Sequence, residues 1–166
     1  MTFTFADDGT VPNNARLPFL LYPGVFDLSG QSDPESAIER TFHANRWGDS
    51  WRDGVFSYLH YHSMIHEVLG IARGRAKVRF GGDNGEEIDL NPGDVAVLPA
   101  GTGHHGLWVS ADLVAVGAYP QAGRYDLCRG SPAERDRALE TIPRVPLPDT
   151  DPVLGKDGPL PRLWHA

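Results

Sequence analysis

The chain has 166 residues, enough for one domain whose hydrophobic core needs no disulfide or structural metal. Its 22 acidic residues outnumber its 15 lysines and arginines, which gives a net charge of -7 without any basic run, so nucleic acid is not an expected partner. No apolar run is long enough to cross a membrane, the first 16 residues are too polar for a signal peptide, and the single cysteine, Cys128, excludes an internal disulfide. We therefore expect a cytoplasmic protein that does not bind membranes.

The first 54 residues are expected to supply one strand and one helix. Residues 1 to 15 are polar and are expected to meander. The apolar run 17 to 22 contains Pro18, which cannot donate to a ladder, so the run is predicted to be an edge strand. Asp33-Pro34-Glu35 has the order of an N-cap, a first-turn proline and an acid near the positive helix end, which predicts a short helix to about Asn45.

Residues 55 to 119 are predicted to be short strands separated by glycine turns. Ala76, Val78 and Phe80 alternate with basic residues, as in a strand with one wet face. Turn signals stand at residues 83 to 85 and 91 to 94. Because no helix fits between these strands, they are predicted to pair antiparallel, and about eight of them to close as an all-β jelly-roll barrel. The aromatic residues that lead into this region are interpreted as core: Trp47, Trp51 and Phe56.

Four residues in this region have the chemistry of metal ligands. His60 and His62 stand two apart in a stretch predicted to be a strand, so both imidazoles leave the same face of it. Glu67 opens the next β-rich run, and His104 begins a later strand. Imidazoles and a carboxylate from neighbouring strands can converge on one divalent ion. We predict that the metal ligands are His60, His62, Glu67 and His104.

Residues beside these ligands have roles that the sequence leaves open. His66 and His105 each adjoin a ligand, and strand alternation points both away from the site. Each is interpreted as solvated or as supporting a ligand, with His66 holding Glu67 or moving a proton as the alternative. Tyr58 and Trp108 are placed on the inward face by the same alternation, and Tyr58 either orients substrate or lines the barrel. The candidate catalytic residues are Glu67, His66 and Tyr58.

The C-terminal part is expected to hold a helix and a proline-rich arm. Ser131-Pro132-Ala133-Glu134 reads as a capping box with proline at the first helical position, for a helix through about Thr141. Prolines are then too frequent for regular structure. The apolar residues among them, including Leu160 and Trp164, favour an extended arm packed on the barrel over a flexible linker.

The two histidine-bearing stretches resemble the two sequence motifs of the cupin superfamily. Residues 54 to 74 read G, five residues, HxH, four residues, E, six residues, G, and residues 93 to 104 read G, five residues, PxG, two residues, H, with 18 residues between the blocks. One position departs from the pattern, because Trp108 stands where the second motif has a structural asparagine. The stretches HEVLG, VGAYP and DPVLGKDGPLPRLW are similar to small single-domain bacterial cupins of the YjlB type.

This resemblance implies one cupin domain over residues 1 to 166, with a barrel core at about 55 to 120, an N-terminal extension 1 to 54, and a C-terminal helix and arm 121 to 166. It implies one divalent ion, and Fe, Mn, Ni, Zn and Cu all accept three imidazoles and a carboxylate. Two functions are compatible with such a site. One is a metal-dependent enzyme acting on a small organic molecule, with dioxygenase, isomerase or decarboxylase chemistry. The alternative is a protein that binds a small sugar or carboxylate through the same metal without turnover. A small-molecule substrate and a second copy of the chain are the expected partners. The homodimer is expected to form through barrel strands and the terminal arm, away from the site.

Overall fold

The computed structural model describes residues 1 to 165, and its strands form two antiparallel sheets. In chain order the strands are β1 Thr2–Phe3, β2 Phe19–Tyr22, β3 Trp47–Asp53, β4 Glu67–Arg73, β5 Ala76–Phe80, β6 Glu86–Leu90, β7 Val95–Leu98, β8 His104–Val109 and β9 Val114–Pro120. The helices are α1 Pro34–Ala44, α2 Pro132–Thr141 and α3 Leu160–Leu163, with a 3-10 turn at Ile142–Arg144. Within the described part of the chain, every helix is too short or too polar to traverse a lipid bilayer.

The order of the strands confirms the predicted jelly-roll fold. The larger sheet has the order β1-β2-β7-β4-β9-β3, and the smaller sheet has the order β6-β5-β8. Every neighbouring pair is antiparallel, and pairs such as β2 with β7 and β3 with β9 join strands that are distant in sequence. Such crossovers between two facing sheets are typical of the jelly roll. Three strands of the larger sheet precede residue 55, so the N-terminal extension is part of this sheet.

The N-terminal residues take part in the fold. Residues 4 to 15 have no regular secondary structure, as expected, but several of them are buried. β1 pairs with β2, so β2 is an inner strand and the predicted edge position is wrong. Asn13 and Asn14 are buried, and their side-chain amides donate to the carbonyls of Gly81 and Ala100 at 3.0 Å each. Their polarity therefore satisfies buried backbone groups and does not indicate exposure.

Two apolar layers lie on the two faces of the larger sheet. The inner layer, between the sheets, includes Leu69, Ile71, Val78, Phe80 and Leu98. The outer layer joins the opposite face of the sheet to α1 and the C-terminal arm. Strict alternation along β4 assigns Glu67, Leu69 and Ile71 to the interior and Val68 and Gly70 to the outer face.

The helix α1 is held against the outer face by a close approach at Gly70. Asp33 caps the helix by accepting a hydrogen bond from the Ser36 amide, as the sequence predicts. Ile38 and Phe42 are completely buried, and a Cβ on Gly70 would lie 2.9 Å from Ile38 Cγ2. Only glycine leaves room for the helix at this point. The contact fixes the strand that begins with Glu67.

The proline-rich arm packs on the outer layer, as predicted, although it is not extended throughout. Leu160 and Trp164 are buried, and the Trp164 indole N–H donates to the Pro18 carbonyl at 2.8 Å. Residues 160 to 163 form one helical turn because Pro159 and Pro161 hold φ near the helical value.

Two substitutions in the short helix α3 test the packing of the arm. We expect Leu160→Ala to lower the free energy of unfolding by about 2–5 kcal/mol, since it leaves a cavity in the outer layer. Leu163, in the same turn, is 37% exposed, and Leu163→Ala should cost about 0.5 kcal/mol or less. Urea denaturation measures both values. Equal stability of the two variants would show that the arm does not stabilise the fold.

Candidate metal centre

Three histidines converge between the sheets, as predicted. His60, His62 and His104 are buried, and each offers a ring nitrogen within 4.8 Å of the others. His104 begins β8 and is paired with His60 through two main-chain hydrogen bonds of 2.9 and 3.1 Å. The prediction that His60 and His62 lie in a regular strand is wrong, because this stretch makes only isolated bridges, from His60 to His104 and from Tyr61 to Cys128. Those bridges are sufficient to keep the alternation that places both imidazoles on one side.

One ring nitrogen of each imidazole, Nδ1, already makes a hydrogen bond. Nδ1 faces a backbone carbonyl in every case, from His60 to Tyr58, from His62 to Asp126 and from His104 to Thr102. Since a carbonyl only accepts, each Nδ1 must donate, so in the neutral form of each ring the lone pair is on Nε2. Metal-binding histidines are oriented in the same way.

Glu67, at the first position of β4, lies beside two of these histidines. Its Oε2 lies 3.3 Å from His62 Nε2 and 3.4 Å from His104 Nε2. Two ligands about 2.1 Å from one ion and at right angles to each other are separated by roughly 3 Å, close to these distances. Oε2 is buried and has no hydrogen-bond donor in the described structure. A buried carboxylate oxygen without a donor is costly, so the residues present fit a cation at this point.

The protonation states also suit metal binding. Burial lowers the pKa of His60 to about 4 and the pKa of His104 to about 3, so both rings are neutral near pH 7. Burial also opposes charge on His62, but the Glu67 carboxylate outweighs this effect and raises the pKa of His62. Burial acts to raise the pKa of Glu67, and the neighbouring His62 and His104 reverse this and lower it. The cluster thus offers an ionised carboxylate and two neutral imidazoles.

A cavity of about 270 Å³ opens over the cluster. Its walls are mostly apolar and aromatic, and they include Trp51, Val55, Phe56, Leu69, Tyr119 and Tyr125. Trp51 and Phe56, interpreted from the sequence as core, therefore line the cavity, whereas Trp47 is completely buried in the outer layer. Trp51 lies across Gly117 of β9, where a Cβ would overlap the indole.

Tyr119 is a cavity residue that the sequence reasoning missed. Its hydroxyl accepts a hydrogen bond of 2.9 Å from Trp51 Nε1. Burial, followed by the charge of Glu67, raises the pKa of Tyr119, so the phenol keeps its proton. Alternation along β9 could have identified it, because Tyr119 and Gly117 are two residues apart and face the interior together. Tyr125 follows β9 in a loop, and no periodic pattern marks it.

His66 lies outside the cavity, and the interpretation of it as solvated or catalytic is corrected. It is completely buried, its Nδ1 accepts a hydrogen bond of 2.9 Å from the Ala100 amide, and its ring centroid is 4.8 Å from that of Trp164. Burial lowers its pKa to about 3. Strand alternation directs Glu67 inward and His66 outward, and the C-terminal arm covers the outer side.

Tyr58 is also absent from the cavity wall. Its ring stacks on Phe56, with centroids 4.9 Å apart, and the Arg129 guanidinium carbon lies 3.7 Å from its centre on the ring face. The backbone carbonyl of Tyr58 holds His60, so Tyr58 supports the site through its main chain. Of the predicted catalytic residues, only Glu67 lines the cavity.

Trp108 points outward, contrary to the prediction, and is 57% exposed. A register shift between β5 and β8 pairs Gly106 with Val78 and Trp108 with Lys77, so Leu107 is an extra residue. A bulge of this kind reverses the alternation that follows it.

Asp126, in the same loop as Tyr125, is another residue that the sequence reasoning missed. Its carboxylate accepts hydrogen bonds from the Ser63 amide at 2.9 Å, the Ser63 hydroxyl at 2.6 Å and the Met64 amide at 3.1 Å, while its carbonyl faces His62. The loop that follows β9 is thereby fixed to the residues that follow His62. Burial, with Asp126 nearby, raises the pKa of Cys128 to about 12, which agrees with the interpretation that Cys128 is not a nucleophile.

The amino-acid sequence of the chain is similar to that of a bacterial protein. No protein-family model matches the chain. The chain is 40% identical to the uncharacterised protein YjlB of Bacillus subtilis (strain 168) over 163 residues, which are 98% of this chain and 95% of the relative. Identity at this level over nearly the full length of both chains shows that they belong to one family.

Solved structures are more distant. Acireductone dioxygenase from Bacillus anthracis, with a cadmium ion in its active centre, is 14% identical over 64% of this chain and 83% of that chain, with a TM-score of 0.43. A DMSP lyase structure is 22% identical over 49% of this chain, with a TM-score of 0.39. The match spans only 41% of that lyase chain.

Substitution of Gly117 tests the wall of the cavity. We expect Gly117→Ala to displace the Trp51 indole and to cost about 1–3 kcal/mol, because the added methyl group overpacks the site. Gly48, on the neighbouring strand β3, has open space around it, and Gly48→Ala should change stability by about 0.5 kcal/mol or less. Urea denaturation and near-UV circular dichroism measure stability and tryptophan packing. Native spectra and stability in Gly117→Ala would contradict the described contact.

Proposed function

Since the chain belongs to the YjlB family of cupins, we propose that it binds one divalent metal ion and acts as a metal-dependent enzyme on a small organic molecule. The observation that carries this proposal is the buried Oε2 of Glu67, which faces Nε2 of His62 and of His104 and has no hydrogen-bond donor assigned to it in the described structure. The proposed ligands are His60, His62, Glu67 and His104. Fe, Mn, Ni, Zn and Cu all accept this ligand set.

The protein supplies three functions around such an ion. The carbonyls that hold the three Nδ1 atoms keep the imidazoles in the tautomer that binds metal. The apolar walls keep bulk water from the reacting atoms, which strengthens electrostatic interactions inside the cavity. Tyr119 retains its proton and holds it beside Glu67, where it can be donated to a bound oxygen.

When bound, a divalent ion with three imidazoles and one carboxylate supplies a Lewis acid with open positions for substrate. Dioxygenases, isomerases and decarboxylases can all use such an ion, and the proposed activity is one of these three reaction types. The cavity over the cluster supports an enzyme, since it gives a substrate direct access to the ligands and to the Tyr119 hydroxyl.

The second candidate function is binding without turnover. Phe56 and Tyr125 at the cavity mouth are 46% and 51% exposed, and exposed rings are suited to stacking against a sugar. Both functions require the same metal, so they are distinguished by whether a bound ligand is chemically changed.

The first test of the proposal is metal content. We expect wild-type protein to retain about one divalent ion per chain after dialysis against a weak chelator. Loss of a supporting hydrogen bond alone typically weakens metal binding roughly 10- to 100-fold, so His62→Ala and His104→Ala should weaken it at least as much. His105→Ala is the matched control, because His105 adjoins a ligand but does not line the cavity. Elemental analysis of all four proteins measures the content.

The same proteins test the effect of the ion on stability. At a hundredfold excess over its dissociation constant, the ion should stabilise the wild type by roughly 2.7 kcal/mol, and the His62→Ala and His104→Ala variants much less. Metal-free protein should remain folded, since both apolar layers are independent of the ion. Equal metal content in wild type and in the two ligand variants would overturn the proposed site.

We also propose a homodimer that pairs through the strands of the larger sheet. β1 has only two residues and lies at the edge of that sheet, where main-chain groups are open to a partner. The sequence favours a contact made by both the strands and the terminal arm. Because Trp164 packs on Pro18 of its own chain, the contact proposed here uses the strands alone. Light scattering at several concentrations should give twice the 18.2 kDa mass of the chain. A constant mass of one chain would exclude the dimer.

A further inference from the structure

The cavity over the metal centre has a composition that restricts what it can bind. Four aromatic side chains line it: Trp51, Phe56, Tyr119 and Tyr125. Several of these rings pack directly on the ligand imidazoles, with centroid distances of 5.1 Å from Phe56 to His60 and 5.0 Å from Tyr125 to His62. A ligand next to the cluster is therefore in contact with ring faces and edges, which favour another apolar ring.

The size of the cavity limits the ligand to a small molecule. Its volume of about 270 Å³ is slightly below the range of about 300–1,000 Å³ found for drug-sized ligands. A ligand with a single ring and one short substituent has a size that fits this cavity.

The charges around the cavity restrict the ligand further. Arg52 lies at the cavity, but its charge is offset by Glu39, to which it donates hydrogen bonds of 2.6 and 3.0 Å. The neighbouring Asp53 is exposed, so its charge is screened by water. Glu67 is the remaining charged group of the described wall. A divalent ion together with Glu67 leaves one net positive charge, which one negative charge on a ligand neutralises. A second negative charge would be buried without a partner.

One polar group is available to orient such a ligand. The Tyr119 oxygen accepts from the Trp51 indole, which can only donate, so the phenol hydrogen is directed away from Trp51. The remaining directions lead to Glu67 or into the cavity. A ligand oxygen near the ion would lie within reach of this hydrogen.

We propose that the cavity takes a small apolar ring that carries a single negative charge on oxygen, such as an aromatic carboxylate or a phenolate, and that the Tyr119 hydroxyl donates a hydrogen bond to that oxygen. This inference deepens the proposed function and rests on metal binding by the cluster. It excludes dicarboxylates and phosphorylated or nucleotide-linked ligands, since each brings a second charge.

The test uses full-length protein loaded with Co(II), whose absorption spectrum reports on ligand binding independently of activity. Four probes isolate the contributions: benzoate, acetate without the ring, benzamide without the charge, and isophthalate with a second charge. Benzoate should bind roughly tenfold or more tightly than acetate, because the ring is worth more than 1.4 kcal/mol of burial. It should also bind more tightly than benzamide and isophthalate.

Two variants separate the role of Tyr119 from general effects of removing a hydroxyl. Tyr119→Phe should weaken benzoate roughly tenfold, the effect of one hydrogen bond to a charged group. Tyr61→Phe is the control, because the Tyr61 hydroxyl is buried outside the cavity and has no partner in the described structure. It should leave benzoate affinity unchanged.

Each outcome has a separate meaning. Co(II) content is measured first, and failure to retain Co(II) overturns the proposed metal site and this inference with it. If Co(II) is retained but acetate or isophthalate binds as tightly as benzoate, the ligand class is wrong while the metal site stands. Unchanged benzoate affinity in Tyr119→Phe would overturn the role of that hydroxyl.

Discussion

The buried carboxylate of Glu67 requires compensation for its charge, and the organisation of the site follows from this requirement. Removing a carboxylate from water costs several kcal/mol unless opposite charge or hydrogen-bond donors replace the solvent. Two neighbouring imidazoles are kept neutral by burial, and only His62 has its pKa raised by the carboxylate. A shared proton is the compensation available without a metal, and a divalent cation would be a stronger one, since it binds the carboxylate and the free Nε2 atoms together.

The two extensions of the chain keep the inner face free for this cluster. α1 packs on Gly70 and the arm packs on His66, so both cover the outer face of the strand that presents Glu67. Apolar contacts on that side fix the strand without occupying the interior. The cavity can therefore remain open above the ligands while the protein still buries a continuous core. The proline-rich arm is thus part of the support of the site, although it lies on the opposite side of the sheet.

The sequence predicted those parts of the site that depend on local alternation. The spacing of His60 and His62, and the start of a strand at Glu67, determine which side chains face inward, and the histidine cluster agrees with that prediction. Prediction failed where an irregularity changed the phase, as at the bulge before Trp108. It also failed where residues meet only through long-range pairing. Trp51 on β3 and Tyr119 on β9 are brought together by the pairing of those strands, and no local pattern encodes that contact.

The contact between Trp51 and Tyr119 also explains how an apolar cavity gains a directed polar group. Gly117 leaves the space in which the indole lies, and the indole N–H has no alternative to donating, so it fixes the side of the phenol oxygen that can accept. The phenol hydrogen is then directed toward Glu67 or into the cavity, where the apolar walls limit competition from water for its hydrogen bond. A single oriented donor beside a single charge selects a ligand by the placement of one oxygen atom, whereas the surrounding rings select it by shape and apolar area. Affinity and orientation in this cavity therefore arise from different residues, and each is open to separate substitution.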